Sequence, residues 1–266
     1  MEPLIISAKY MEGTGHFSNH YHDCNELIYI VGGRASITLG ESHYEAPAGS
    51  LVLISRFEHH AVEADGEDYC RYTLRLRPDI HGYGTFPGGE LLSLLINRPG
   101  NFCHVHFLPG CDHLLARIVA ESQGDDPMKG NMLDLLLMEL LVLLCRVHPQ
   151  LIRPDSGNVD IVLQVQQYLE ENYSRRTCLE DLARRFHLSS SYLSHLFKDV
   201  TGHSVMGYLK ACRIAAAKRL LAQTQLSISQ ILEDCGFADS SNFSRTFRQD
   251  TGLSPSAFRM KYQKSQ

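Results

Sequence analysis

A CxxC pair, a membrane-length apolar run and a basic leader are all missing from this sequence. The 8 cysteines, at positions 24, 70, 103, 111, 145, 178, 212 and 235, are scattered, which fits reduced thiols better than a disulfide framework. The longest apolar run, 132–145, falls short of the roughly 20 residues a bilayer requires, and Asp134 and Glu139 interrupt it. The opening MEPLIISAKY lacks a basic segment ahead of an apolar one, so no signal peptide is expected. A cytoplasmic chain with no membrane partner is the expectation. Disorder is excluded as well: of 266 residues, 44% are hydrophobic and 21% charged, enough to bury a real core.

Net charge is low too, at −5, and alone it argues weakly against a nucleic-acid partner. Its distribution argues the other way. Residues 159–266 hold 14 Lys and Arg against 10 Asp and Glu, whereas residues 1–158 hold 11 against 20. A basic C-terminal part joined to an acidic N-terminal part is expected when one domain meets phosphate and the other does not.

Residues 1–108 read as short strands. The stretches 27–31, 35–39, 50–54 and 69–76 are β-branched or aromatic, and Gly32-Gly33, Gly40 and Pro47-Ala48-Gly49 punctuate them. That spacing predicts an all-β sandwich or barrel. Stretches 112–121 and 132–147 have helical spacing, separated by Gly124-Asp-Asp-Pro127, and 148–157 is rich in turn residues. From 159 onward the pattern is helical. The expected organisation is a β-domain over 1–108, a helical segment over 109–148, a linker over 149–158 and an all-α domain over 159–266.

The last part contains a repeat. Sliding it by 50 residues lays 193–202 on 243–252, Leu182 on Leu232, Ser190-Ser191 on Ser240-Ser241, and Ser204 on Ser254. One supersecondary unit is therefore used twice. Each copy reads as helix, tight turn and second helix, over 179–186 and 190–200, then 228–235 and 239–250. Ser190 is the expected cap of the first copy's second helix, and Gly236 suits the backbone reversal in the second. Leu193, Leu196 and Phe197 share one face of copy one; Phe243 and Phe247 mark it in copy two. Opposite them lie Ser191, Ser194, His195 and Lys198, and Ser241, Ser244, Arg245 and Arg248. These are side chains for base edges and phosphates; Lys198 and Arg248, further along, suit phosphates. A polar outer face alone would be ordinary. Two copies at one offset in the basic half are not.

The stretch 213–224, with Ile228, Ile231, Gly236-Phe237, Phe243-Ser-Arg245, Phe247, Gly252, Ser254-Pro255 and Phe258-Arg259, resembles the signature of AraC/XylS-type regulators over about 100 residues. The resemblance implies two helix-turn-helix subdomains joined by a rigid helix over 205–223, reading successive major grooves of promoter or operator DNA. It places base contacts on Ser191, Ser194, His195, Ser241, Ser244 and Arg245, and phosphate contacts on Lys198 and Arg248. Relatives often carry arginine where this chain has His195. RNA polymerase is a further partner the family leaves open.

His20-Tyr-His22-Asp-Cys-Asn-Glu26, with Gly33, Pro47-Ala-Gly49 and His59-His60 later, has the spacing HxHxxxE-x6-G. In a strand, His20 and His22 share a face, as does Glu26 if no bulge intervenes. With an imidazole from His60 or His59 they could bind a divalent ion of the Zn, Mn, Fe or Ni class. The set resembles cupin-barrel motifs, and AraC-type regulators commonly begin with a cupin-like sensor, many keeping the pattern without metal. Two readings stand: a metal site at His20, His22, Glu26 and His60, or histidines serving packing, hydrogen bonding or effector contacts, with no cofactor required. Either way the barrel mouth would take a small polar effector such as a sugar, with Tyr29, Arg34 and Arg75 completing the pocket.

The apolar helix over 132–145 reads as a barrel-packing helix, as a homodimer interface, or as both. The fold class expected is α+β and multidomain: a cupin-like β-barrel with helices, then an all-α double helix-turn-helix. A ligand-responsive transcription regulator, not an enzyme, is the leading function. The alternative is a cupin metalloenzyme carrying a DNA-binding domain; a DNA-repair methyl acceptor lacks its cysteine motif.

Overall fold

The computed structural model describes residues 3–13, 15–78, 91–92, 104–151 and 157–263. The chain divides into two compact units, Met1–Val159 and Asp160–Gln266.

The first unit is built on one antiparallel sheet of strands β1 (Ile5–Glu12), β2 (His16–His20), β3 (Asn25–Leu39), β4 (Ser42–Pro47), β5 (Ser50–Ile54), β6 (His60–Leu76) and β7 (Val105–Phe107). The sequence punctuation at Gly32-Gly33 suggested two strands there. Instead β3 runs straight through, and the glycines bend it. Residues Asn25–Ile30 pair with Leu76–Arg71, and Arg34–Leu39 pair with Asp65–His60, with the register slipping between. Gly33 and Gly66 take positive φ at the slip, and a Cβ on Gly32 would sit 2.7 Å from the Asp68 carbonyl oxygen. Only glycine permits that approach.

The bend splits the sheet into halves. β1, β5 and β7 extend the first half, while β2 and β4 extend the second. One apolar cluster joins Ile28, Ile30, Val52 and Ile54 from the first half to Ile37, Leu39, Ala46 and Val62 from the second. The two halves thus close face to face as a barrel, and burying each such side chain contributes roughly 1.5–3 kcal/mol. On the first half the alternating residues Leu27, Tyr29, Leu51, Leu53 and Leu74 are buried too, so that half needs a cover on its other side. Helices α1 (Asp112–Gln123) and α2 (Lys129–Val147) pack on each other and on β1 to supply it. Asp134 of α2 accepts a hydrogen bond from the Leu4 amide at 2.7 Å, which pins the start of β1. A single 3-10 turn, Pro149–Leu151, follows; linker residues 152–156 lie outside the described ones.

The second unit is helical: α3 (Gly157–Glu171), α4 (Leu179–Arg185), α5 (Ser190–Thr201), α6 (Val205–Gln223), α7 (Ile228–Asp234), α8 (Ser240–Thr251) and α9 (Pro255–Gln263). Among its helices α6 is the spine. Its Ile214, Ala215, Ala216, Ala217 and Leu221 are all buried, because small side chains let neighbours approach it from several directions.

Candidate functional site

The two recognition helices are built alike. Each begins on a polar cap: Ser189 accepts from the Tyr192 amide at 3.2 Å, and Asp239 from the Asn242 amide at 2.7 Å. The cap of the first is therefore Ser189, one residue before the serine expected. A serine at the start of a helix caps it only with extended backbone, which Ser189 has. Each helix ends on a glycine with positive φ, Gly202 and Gly252.

The inner faces are Leu193, Phe197 and Val200 in α5, and Phe243, Thr246 and Phe247 in α8, all buried. Of the expected DNA-facing set, Ser191, His195, Lys198, Ser241, Ser244, Arg245 and Arg248 are exposed, and Ser194 is half-buried. Tyr192 and Asn242, exposed in the first turns, join that outer face; residue type alone did not select them, although their place next to Ser191 and Ser241 could have.

The internal repeat is not uniform. Recognition helices start 50 residues apart, at Ser190 and Ser240, but first helices start 49 apart, at Leu179 and Ile228. The hydrogen bonds Leu188 N–H to Ala183 O and Phe237 N–H to Leu232 O confirm the shorter offset. Leu182 therefore corresponds to Ile231, not Leu232, and the second turn is one residue longer. The positive-φ residue of the turn is His187 in the first copy and Gly236 in the second. A Cβ on Gly236 would lie 2.5 Å from the Ser174 carbonyl oxygen. Arg213 of α6 holds that same loop, donating to the carbonyls of Tyr173 at 2.8 Å and Arg175 at 2.9 Å.

Behind the second recognition helix, Lys218 of α6 lies 2.6 Å from Asp250 at the end of α8. Burial pushes Asp250 up to about 6. The ammonium in direct contact opposes that and keeps the carboxylate ionised.

In the first unit a polar cluster occupies one end of the barrel. His20 closes β2, His22 sits in the connection to β3, Glu26 lies in β3, and His60 opens β6. They meet because the barrel folds, not through alternation along one strand as the spacing suggested. Glu26 belongs to the first half of the sheet and His60 to the second. Glu26 accepts from Arg75 Nε at 3.0 Å, with His60 Nε2 at 3.4 Å and His22 Nε2 at 3.7 Å. Burial works to raise the Glu26 carboxyl, but His60, His22 and Arg75 around it hold it down to about 2. Burial lowers His22 to about 4 and lowers His20 as well. His20, His22 and His60 each aim a ring nitrogen into one spot, all within 4.8 Å of one another.

The loop carrying His22 is clamped. Arg56 pairs with Asp23 at 2.7 Å, and the Phe57 amide donates to the His22 carbonyl at 2.9 Å. Phe57 itself has φ of 64°, a conformation bulky residues rarely adopt, stored beside the cluster.

Two expected pocket residues are elsewhere. Tyr29 alternates with Glu26 and Ile28, so it points to the other face of the sheet, where Cys111 and Gly110 at the start of α1 surround it. Arg34 follows the bend and is exposed, opposite the inward Ala35. Of the two adjacent histidines, His60 joins the cluster and His59 is exposed.

This chain matches the model of an AraC-like ligand binding domain over residues 8–144 and that of a helix-turn-helix domain over 182–261. The transcriptional activator RhaR of Yersinia pseudotuberculosis serotype O:1b is 25% identical over 99% of this chain and 91% of its own length. The activator RhaS of Klebsiella pneumoniae strain 342 is 27% identical over 90% and 86%. Among solved structures, unsaturated fatty acid bound ToxT from Vibrio cholerae strain SCE256 matches with a TM-score of 0.63 and 15% identity, over 95% of this chain and 93% of that one. The last likeness concerns the fold.

Proposed function

The chain belongs to the AraC-type family of transcription regulators, and from that premise we propose that a small polar molecule bound among His20, His22, Glu26, His60 and Arg75 controls its occupancy of promoter DNA. It is a sequence-specific DNA-binding regulator, and each recognition helix reads one short block of bases. Ser191, Ser194 and His195 read the first block; Ser241, Ser244 and Arg245 read the second. Lys198 and Arg248 grip phosphate. The observation that carries this is the pair of side-chain-capped helices with buried aromatic backs and hydroxyl, imidazole and guanidinium fronts.

The effector reading rests on the barrel cluster. A buried ionised carboxylate, a guanidinium and three imidazoles offer acceptors and donors to hydroxyl groups, and Ile28 and Ile54 beside them offer an apolar floor. A sugar, with its many hydroxyl groups, suits that mixture of donors and acceptors. The RhaR and RhaS relatives are activators, which favours activation and a regulator without turnover. A second copy of the chain belongs to the same reading: Met132, Leu135 and Val142 form an exposed apolar stripe along α2 at the spacing of a helix-pairing seam. Such an activator works by contact with RNA polymerase in the cytoplasm.

Selection from a random duplex pool tests the DNA claim, with sugars present and absent. Two conserved blocks about one helical turn apart are expected. A folded protein that enriches no sequence overturns it. Titration calorimetry with a panel of sugars and fatty acids tests the effector. Sugar binding lost in Glu26→Gln supports the reading, and fatty-acid binding without any sugar binding refutes it.

A further inference from the structure

The inward face of β6 carries a buried cation with no counter-charge. From Arg71 to Arg75, β6 pairs with β1 and β3 without a slip. By alternation Arg71, Thr73 and Arg75 therefore share one face, alongside their cross-strand partners Ile28 and Ile30 of the barrel core. Arg75 is paired with Glu26. Arg71 is only 6% exposed, yet among the described residues no carboxylate lies within 4.0 Å of it. Its guanidinium stacks on the Phe17 ring of β2 at 4.3 Å and reaches the Met11 sulfur of β1 at 4.0 Å. A ring face and a thioether do not replace the water that a guanidinium gives up on burial. Two hydroxyls near it are unsatisfied as well. Tyr69, beside Arg71 in the inward cluster, and Thr73 both bury an oxygen that has no hydrogen-bond partner among the described residues. One strand face thus presents a guanidinium and two hydroxyls, all lacking an acceptor.

We propose that Arg71, Thr73 and Tyr69 form an anion subsite inside the barrel, and that the effector is a sugar acid, a polyhydroxy molecule carrying one carboxylate. The planar fork of a guanidinium matches a carboxylate with two parallel hydrogen bonds. One cation flanked by neutral hydroxyls balances a single negative charge; a phosphate, with nearly two, would bury the excess. Arg71 and Arg75 stand four residues apart, about 13 Å along the strand, with Thr73 halfway. The hydroxyl end of the molecule then meets Arg75, Glu26 and the histidines, and its carboxylate meets Arg71. Met11, which covers the guanidinium, is 38% exposed and has the flexible, unbranched side chain to move aside. This rests on the effector reading above and names its chemical class.

The test is titration calorimetry of the full chain with matched pairs: galacturonate against galactose, glucuronate and gluconate against glucose, and glucose 6-phosphate beside them. An acid is expected to bind at least about tenfold tighter than its neutral parent, the scale of one charge-assisted contact. Arg71→Met should erase that ratio and leave the neutral sugar's affinity unchanged. Thr73→Val and Tyr69→Phe should each lower the ratio by about two- to tenfold, while Arg34→Met, at an exposed position, leaves it alone. Thermal melting supplies a second readout. Removing an unpaired buried charge should leave the melting temperature of Arg71→Met unchanged or raised; a marked fall would make the guanidinium a structural stack and overturn the proposal. Equal affinity for acids and parents, or a preference for the phosphate, overturns the anion subsite and leaves the effector reading standing. Acid binding that Arg71→Met abolishes and Glu26→Gln spares keeps the subsite and refutes the reading of the cluster. Binding of no member of the panel overturns both.

Discussion

Exchanging the two turn residues of the helix-turn-helix units should move stability in opposite directions. His187 holds φ of 56° without being glycine, which costs about 1–2 kcal/mol. His187→Gly removes that cost but loosens the unfolded chain by about 0.5–1 kcal/mol. The net is a gain of about 0.5 kcal/mol. Gly236→Ala incurs the left-handed penalty and adds a Cβ 2.5 Å from the Ser174 carbonyl oxygen. Ordinary contact there begins near 3.4 Å, so the loop must retreat. Retreat strains the two Arg213 hydrogen bonds to Tyr173 and Arg175, each worth about 1 kcal/mol. The sum is a loss of about 3 kcal/mol. Urea unfolding of the full chain, followed by the helical circular dichroism signal, reads both variants. In duplex selection Gly236→Ala should also blur the second block and spare the first. A Gly236→Ala chain as stable as the wild type would refute the argument, as would both variants shifting the same way.

Three further outcomes follow from the same geometry. Arg245→Ala should relax the base preference of the second block alone by about 1–3 kcal/mol, whereas Arg248→Ala should weaken all sequences alike and lower the salt slope of binding by about 1, both read by fluorescence anisotropy across salt. Lys218→Met leaves the Asp250 carboxylate buried without its ion pair and should cost about 2 kcal/mol, a value reduced because both groups keep some exposure; Lys218→Met with Asp250→Leu should recover most of it, and a double variant no more stable than the single would contradict this. Tyr29→Phe should leave effector binding by calorimetry unchanged, since the hydroxyl lies on the helix-covered face of the sheet; a tenfold loss of affinity would move the pocket.

The DNA-binding half was legible because its signals are local. Glycines at Gly202 and Gly252 end helices wherever the chain turns left-handed, and buried Phe197, Phe243 and Phe247 follow from helical spacing. The unequal turn was not legible: a one-residue insertion leaves the recognition helices aligned, and only hydrogen bonding shows that the first helices are offset by 49. In the barrel, His20, His22, Glu26, His60 and Arg75 were named from type and spacing. Tyr29 and Arg34 lie away from that cluster: plain alternation already sets Tyr29 on the face opposite Glu26, whereas the face of Arg34 depends on the register slips around Gly32.

What the order of residues determined by itself, then, is everything set within a few residues of chain: the helices, their caps, the repeated unit and the basic outer faces. Tertiary structure alone decided which distant groups meet. Glu26 and His60 are neighbours only because the β3–β6 pair bends at Gly32, Gly33 and Gly66 and closes its two halves on one core. Closure of a sheet is a global balance of burial against chain entropy, and no local pattern encodes it.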